Sequence, residues 1–327
     1  MVWVQFSISA AILVFTAIKL AEFGDVIAVR TRLSGLFIGT LLIAGATSLP
    51  ELLSAINAIA QDAPNLAAGS MFGSAMFNML VLAILDLLHQ QARILRRVAM
   101  NHALTASLAN VMAGLAVFFI LANLDYKIGW VGVDSLLIVA AYVGGVRLLQ
   151  GGGGLPPTSE QIDDSKVPSL RRAGLGFALA TAVLVIVTPF LVGSANTIAE
   201  QTGISTGFIG ATLLAATTSL PELVTTIAAA RMGAYDLAVG NLFGSNVFNM
   251  FALGLTDFFY TKGRFLGAID GSFALAGMLG LLLTGLGLIG NLARVERRLL
   301  FVEVDALLIL LGYLVGMWFL YTQGIGV

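Results

Sequence analysis

Residues 37–52 read FIGTLLIAGATSLPEL, and residues 208–223 read FIGATLLAATTSLPEL. A second pair follows at the same offset of 171 residues: AAGSMFGSAMFNM at 67–79 and AVGNLFGSNVFNM at 238–250. About half of positions 37 to 86 are identical under this shift, without a gap. The shift also carries Arg93 onto Arg264, Gly114 onto Gly285, Asp134 onto Asp305 and Tyr142 onto Tyr313. A match this long is a duplicated structural unit, and each unit holds the same small polar motif inside apolar sequence.

The surrounding chain explains what kind of unit that is. Of its 327 residues, 58% are hydrophobic and 11% charged, against the roughly 25% charged residues of a soluble domain. A soluble globular protein is excluded. The formal charge of -1 leaves no basic surface to displace counterions from a nucleic-acid backbone, so no nucleic-acid partner is expected. With no Cys there is no disulfide, thiolate metal site or thiol nucleophile. The two histidines, His89 and His102, lie outside the candidate core, and there is no HExxH. Neither a zinc hydrolase nor a Ser–His nucleophile can be assembled, and the expectation is a protein that is not an enzyme and needs no cofactor.

Crossing about 30 Å of hydrocarbon takes about 20 helical residues. Ten apolar stretches qualify, near 3–23, 35–60, 66–88, 103–122, 129–149, 174–198, 206–230, 237–260, 267–290 and 301–322. The first has neither a basic segment before it nor a small-residue cleavage site, so it reads as a span rather than a signal peptide. The polar passage 151–172, with four consecutive glycines and three prolines, reads as a linker. The expected architecture is an all-α polytopic membrane protein of ten transmembrane helices. Residues 1–150 form the first five-helix repeat (motif 37–80) and 173–327 the second (motif 208–251). Five spans per unit force the second copy to enter from the opposite side, so the repeats are inverted. In this arrangement Lys127, Lys262 and Arg264 fall on one side and the other fourteen of the seventeen Lys and Arg on the opposite side. Positive residues favour the cytoplasm. Both termini are therefore placed outside and the linker in the cytoplasm of a cell (inner) membrane.

Glu51 and Glu222 sit deep within the second and seventh spans. An acid at that depth costs roughly 2.5–3.5 kcal/mol on insertion scales and marks a candidate functional site. The alternative is a pair of protonated structural acids, and the neighbouring residues weigh against it. Ala44, Thr47, Ser48 and Glu51 are spaced i, i+3, i+4 and i+7, hence on one helix face, and Ala215, Thr218, Ser219 and Glu222 repeat the pattern. Pro50 and Pro221 lack an N–H, which strains each helix and is expected to free nearby carbonyls, those of Ala44 and Ala215 among them. Broken helices facing a midplane cavity are how secondary transporters build ion sites. A second stripe comprises Ser70, Ser74 and Asn78, matched by Asn241, Ser245 and Asn249. Gly69 with Gly73, and Gly240 with Gly244, have the small-xxx-small spacing of close helix packing. The donors are all oxygens with no imidazole or sulfur, which suits a hard cation; calcium takes 6–8 oxygens.

With GATSLPE and ATTSLPE followed by GSMFGSAMFN and GNLFGSNVFN, the chain resembles the calcium/cation antiporter superfamily, in its prokaryotic sodium/calcium exchanger-like branch. The resemblance covers nearly the whole chain. It implies a central site between spans 2, 3, 7 and 8, and alternating access by sliding of spans 1 and 6. It also implies the metal ligands Ala44 (carbonyl), Thr47, Ser48, Glu51, Ser74 and Asn78, with Ala215 (carbonyl), Thr218, Ser219, Glu222, Ser245 and Asn249. The two glutamates would bridge a calcium site and flanking sodium sites. The sequence departs from the family at Asn249, where several members have Asp, which argues against potassium cotransport. Ser70 and Ala75 also stand where the second repeat has Asn241 and Asn246.

The expected function is calcium export in exchange for sodium, with inorganic cations and the lipid bilayer as the only partners and no obligatory protein partner. Proton-coupled exchange is the alternative, because two buried acids can carry protons; a passive channel or an intramembrane enzyme is disfavoured. Asp86 and Asp257 read as solvated helix ends, His89 and His102 as solvated, and Glu22 and Asp25 as interfacial. Asp134 and Asp305 read as helix N-terminal acids with a structural role.

Overall fold

The computed structural model describes residues 1–31, 44–88, 100–151, 168–292, 298–299 and 302–326. It is almost entirely helical. In chain order the helices are α1 (Val2–Thr31), α2 (Leu49–Ala60), α3 (Pro64–Leu88), α4 (Met100–Ala122), α5 (Val133–Gly151) and α6 (Leu170–Thr202). They continue with α7 (Thr206–Thr218), α8 (Leu220–Arg231), α9 (Tyr235–Thr256), α10 (Phe273–Leu292) and α11 (Val304–Thr322).

Among the described residues, six helices are long and apolar enough to cross a membrane: α1, α3, α4, α6, α10 and α11. The bent pair α7–α8, turning by 43° at its break, makes a seventh candidate. Of the remaining helices, α2 has only 12 residues, and α9 carries Asn241, Ser245, Asn246 and Asn249 within an otherwise apolar helix. Part of the stretch 35–60 and most of the linker, residues 152–167, lie outside the described residues.

Element boundaries recur at the 171-residue offset. Leu49–Ala60 corresponds to Leu220–Arg231, and Val133–Gly151 to Val304–Thr322. Two short antiparallel hairpins, which the apolar pattern did not suggest, obey the same shift. One pairs Lys127 with Gly132 and Ile128 with Val131 before α5; the other pairs Arg298 with Glu303 and Leu299 with Val302 before α11. The first reverses the chain at Gly129 and Trp130, between α4 and α5.

Helix α3 is central: 72% of its most apolar window is buried, against 28% for α6 and 22% for α11. The peripheral helices expose Leu175, Leu179, Ile186, Phe190, Leu314, Val315 and Trp318, a continuous apolar exterior that suits lipid and not water. Helices α1 and α6 pack along one another at the edge, and α3, α4, α9 and α10 form the interior. The approach of α3 to α7 is set by glycine. A β-carbon at Gly69 would overlap the Gly207 carbonyl, one at Gly73 the backbone of Ala211, and one at Gly210 the Leu66 carbonyl. No larger residue fits there, which is the packing role the small-xxx-small spacing implies for Gly69 and Gly73. The partners that the shift would assign to Gly240 and Gly244, near 36–40, lie outside the described residues.

Candidate cation site

The site is built where two helices break. Ser48, between the helical residues 44–47 and α2, has φ -89° and ψ 6°; Ser219, between α7 and α8, has φ -89° and ψ 4°. In each case proline occupies the first turn that follows, where its missing N–H costs nothing and its ring stops the preceding helix from continuing. One turn earlier, Gly210–Leu214 forms a π-helical turn, the irregular backbone often found beside functional residues.

The carbonyls of Ala44 and Ala215 are not freed by the break. Ala44 O accepts from Ser48 N at 2.9 Å and from the Thr47 hydroxyl at 3.1 Å; Ala215 O accepts from Ser219 N at 3.0 Å and from the Thr218 hydroxyl at 3.3 Å. The helical ladder reaches both oxygens because proline removes donors only at positions 50 and 221. A carbonyl has two lone pairs, so either could still coordinate an ion, but as an already bonded oxygen.

The side chains cross between the halves. Ser48 Oγ donates to Glu222 Oε1 at 2.8 Å, and Ser219 Oγ donates to Glu51 Oε1 at 2.9 Å. Ser245 Oγ makes a longer contact to Glu222 Oε1, 3.4 Å. Both glutamates are 1% exposed. The second oxygen of each, Oε2, has no hydrogen-bond partner, and neither do Ser74 Oγ, Asn78 Oδ1 or either polar atom of Asn249. Buried polar atoms are ordinarily satisfied. Buried, unsatisfied oxygens that include two carboxylates have the donor chemistry that suits a hard cation. Among the described residues no group of three His, Cys, Asp or Glu could hold a metal, and the carboxylates at the two breaks are those of Glu51 and Glu222.

The twelve sequence-predicted ligands therefore fall on the two breaks and on α3 and α9, and all those with polar side chains are buried. Ser70 is buried as well, with its hydroxyl unpartnered, whereas its counterpart Asn241 donates to Thr225 Oγ1 at 3.1 Å and Thr226 Oγ1 at 3.4 Å. Sequence reasoning missed Asn246 as a participant: its Oδ1 accepts from Asn78 Nδ2 at 2.9 Å, and its own Nδ2 donates to Thr284 Oγ1 at 3.4 Å. The signal was present, because the 171-residue shift aligns Asn246 with Ala75, a polar residue in one repeat against an apolar one in the other.

Outside the site several expectations are overturned. Asp86 and Asp257 are buried rather than solvated. Asp257 accepts from the backbone N–H groups of Gly132 and Phe265, each at 2.6 Å, tying the first hairpin to the segment before α10. His102 is 4% exposed, with Nε2 3.4 Å from Asp236 Oδ1, because α4 carries it under α9; His89 lies outside the described residues. Asp134 does cap the start of α5, accepting from Ser135 N, and it also pairs with the buried Arg264 at 2.8 Å. Arg264 additionally donates to Asn123 Oδ1. Asp305 accepts from Ala306 N in the matching position, and Glu22 is an exposed partner of Lys19. One GxSxG spelling, residues 203–207, is a turn in which Ser205 accepts from Phe208 N and donates to the Ile325 carbonyl, so it is a helix cap and not a nucleophile elbow.

The sequence pattern of the family described as sodium/calcium exchanger protein matches residues 1–149 and 173–322. The sodium/calcium exchanger MaX1 of Methanosarcina acetivorans is 31% identical over 72% of this chain and 76% of its own. The putative antiporter CaxA of Alkalimonas amylolytica is 26% identical over 97% of both chains. The inner membrane protein YrbG of Escherichia coli is 28% identical over 73% of this chain and 74% of its own. Among solved structures, the sodium-calcium exchanger NCX_Mj superimposes with a TM-score of 0.61 at 21% identity, covering 97% of each chain. The H+/Ca2+ exchanger CAX superimposes with a TM-score of 0.68 at 13% identity, covering 99% of this chain and 89% of that one. At these identities the structural likenesses establish a shared fold.

Proposed function

Because the chain belongs to the sodium/calcium exchanger protein family, and is thus a calcium/cation antiporter, we propose that it moves calcium across the membrane in exchange for sodium. The observation that carries this reading is the crossed pair of serine–glutamate hydrogen bonds, which leaves one oxygen of each carboxylate buried and unsatisfied. Two carboxylates neutralise one divalent ion or two monovalent ions, so the same oxygens can serve calcium and sodium in turn, as antiport requires. Their location on two broken helices of opposite halves supports alternating exposure to the two sides.

In this reading the ligands are the Ala44 and Ala215 carbonyls with Thr47, Ser48, Glu51, Ser74, Asn78, Thr218, Ser219, Glu222, Ser245 and Asn249. The spans number ten: the helices that pass on length and composition, the two broken helices, and α5 and α9. They divide into inverted repeats at 1–150 and 173–327, joined by the linker 151–172. The coincidence of element boundaries at the 171-residue offset supports that division.

Reconstituted vesicles loaded with sodium and diluted into sodium-free buffer containing calcium should accumulate calcium, and Glu51→Gln or Glu222→Gln should abolish uptake. Transport by both variants would refute the site. Proton coupling is the second reading, favoured by the two buried acids and by the fold shared with an H+/Ca2+ exchanger. Uptake driven by an acid-inside pH gradient, and not by sodium, would establish it in place of the first.

A further inference from the structure

The two amides that the repeat makes equivalent stand in unlike surroundings. Asn78 on α3 and Asn249 on α9 are both buried and occupy matching places, at the ends of GSAMFN and GSNVFN. Asn78 Nδ2 donates to Asn246 Oδ1 at 2.9 Å, and Asn246 Nδ2 reaches Thr284 Oγ1 on α10 at 3.4 Å. This chain of amides runs from α3 through α9 to α10 and leaves only Asn78 Oδ1 without a partner. At the positions equivalent to Asn246 and Thr284, the first repeat has Ala75 and Ala113. Methyl groups cannot hold an amide, and Asn249 has no hydrogen-bond partner for Oδ1 or Nδ2.

An amide side chain presents an acceptor on one edge and two donors on the other, and only the acceptor edge can coordinate a cation. Which edge faces the ion is decided by what holds the opposite edge, in the way that outer hydrogen bonds orient metal ligands. We propose that Asn246, backed by Thr284, is a positioning residue: it takes up the Nδ2 edge of Asn78 and so turns Asn78 Oδ1 toward calcium. Asn249, with alanine at the anchoring position, is a second amide whose orientation nothing holds. The cage therefore has one pre-oriented amide oxygen and one that must be oriented by the ion itself. This inference rests on the reading of Asn78 as a calcium ligand.

The test is calcium binding to the purified, detergent-solubilised full chain by titration calorimetry, which does not depend on the coupling ion. One net hydrogen bond contributes about 0.5–1.5 kcal/mol, so Asn246→Ala should weaken calcium binding about threefold to tenfold. In an Asn78→Ala background the same substitution should change the affinity less than about twofold, because a residue acting only through its neighbour shows full coupling in a double-mutant cycle. Thr284→Ala, which removes only the outer link, should reproduce the pattern with a smaller loss and replaces Asn246→Ala if that variant does not fold. Ala75→Asn should tighten calcium binding, and Asn249→Ala should cancel the gain. Equal losses with and without Asn78, or unchanged affinity in folded Asn246→Ala, would overturn the proposal. Unchanged affinity in Asn78→Ala alone would instead refute the ligand reading beneath it.

Discussion

Each carboxylate of the central pair is held by a serine from the other half of the chain, and this crossing determines what single substitutions do. Removing a hydroxyl that donates to a buried carboxylate costs about 1.5–3 kcal/mol where the acceptor is charged. Ser48→Ala and Ser219→Ala should each weaken calcium binding by roughly tenfold or more, and by similar factors, since the two bonds are 2.8 and 2.9 Å long. Calorimetric titration checks this, and a loss confined to one variant would show that the two carboxylates contribute unequally. Thr47, Ser48 and Glu51 were legible in the sequence as residues on one helix face. That Ser48 serves Glu222 and not Glu51 was not, because spacing along a helix says which residues are neighbours on it and nothing about what lies opposite. The same limit hid Asn246.

Helix breaks and helix approaches govern the next level. Serine followed by proline specifies the break locally, so both breaks could be located from SLPE alone. The close approach of α3 to α7 is likewise encoded by Gly69, Gly73, Gly207 and Gly210, although which helix they would admit could not be read. Gly73→Leu should lower stability by about 1–3 kcal/mol or more, because its side chain would meet the Ala211 backbone, which cannot rotate aside as a side chain can. Gly144→Ala on α5, whose β-carbon would meet nothing within 4 Å, is the neutral control; thermal unfolding in detergent compares them. The hairpin before α5 is joined to the segment before α10 through Asp134, Arg264 and Asp257. Asp134→Ala leaves the Arg264 charge buried and unpaired, a loss of about 3–5 kcal/mol. The double variant Asp134→Leu with Arg264→Met should recover much of it, as the midpoint of thermal unfolding would show. Asp257 looks like a solvated helix end in the sequence, because apolar patterning marks where a span stops and not what the adjoining turns fold over.

At the scale of the whole molecule, the proposed ten-span inverted arrangement assigns Asp125 to the outside and Met232 to the cytoplasm. The chain has no cysteine, and both side chains are well exposed, so single cysteines report cleanly. A membrane-impermeant maleimide on intact cells should label Asp125→Cys at once and Met232→Cys only after permeabilisation; the reverse would invert the orientation. The duplication, the apolar stretches, the proline breaks and the identity of two buried acids followed from the sequence alone, because each rests on local spacing or on the cost of placing charge in hydrocarbon. Only the tertiary structure decided that the serine–glutamate bonds cross between halves, that Asp257 and Arg264 are buried, and that Asn78 is anchored while Asn249 is not. Those outcomes depend on which surfaces meet, and residues 168 or more positions apart are brought together by packing that no periodicity within one helix records.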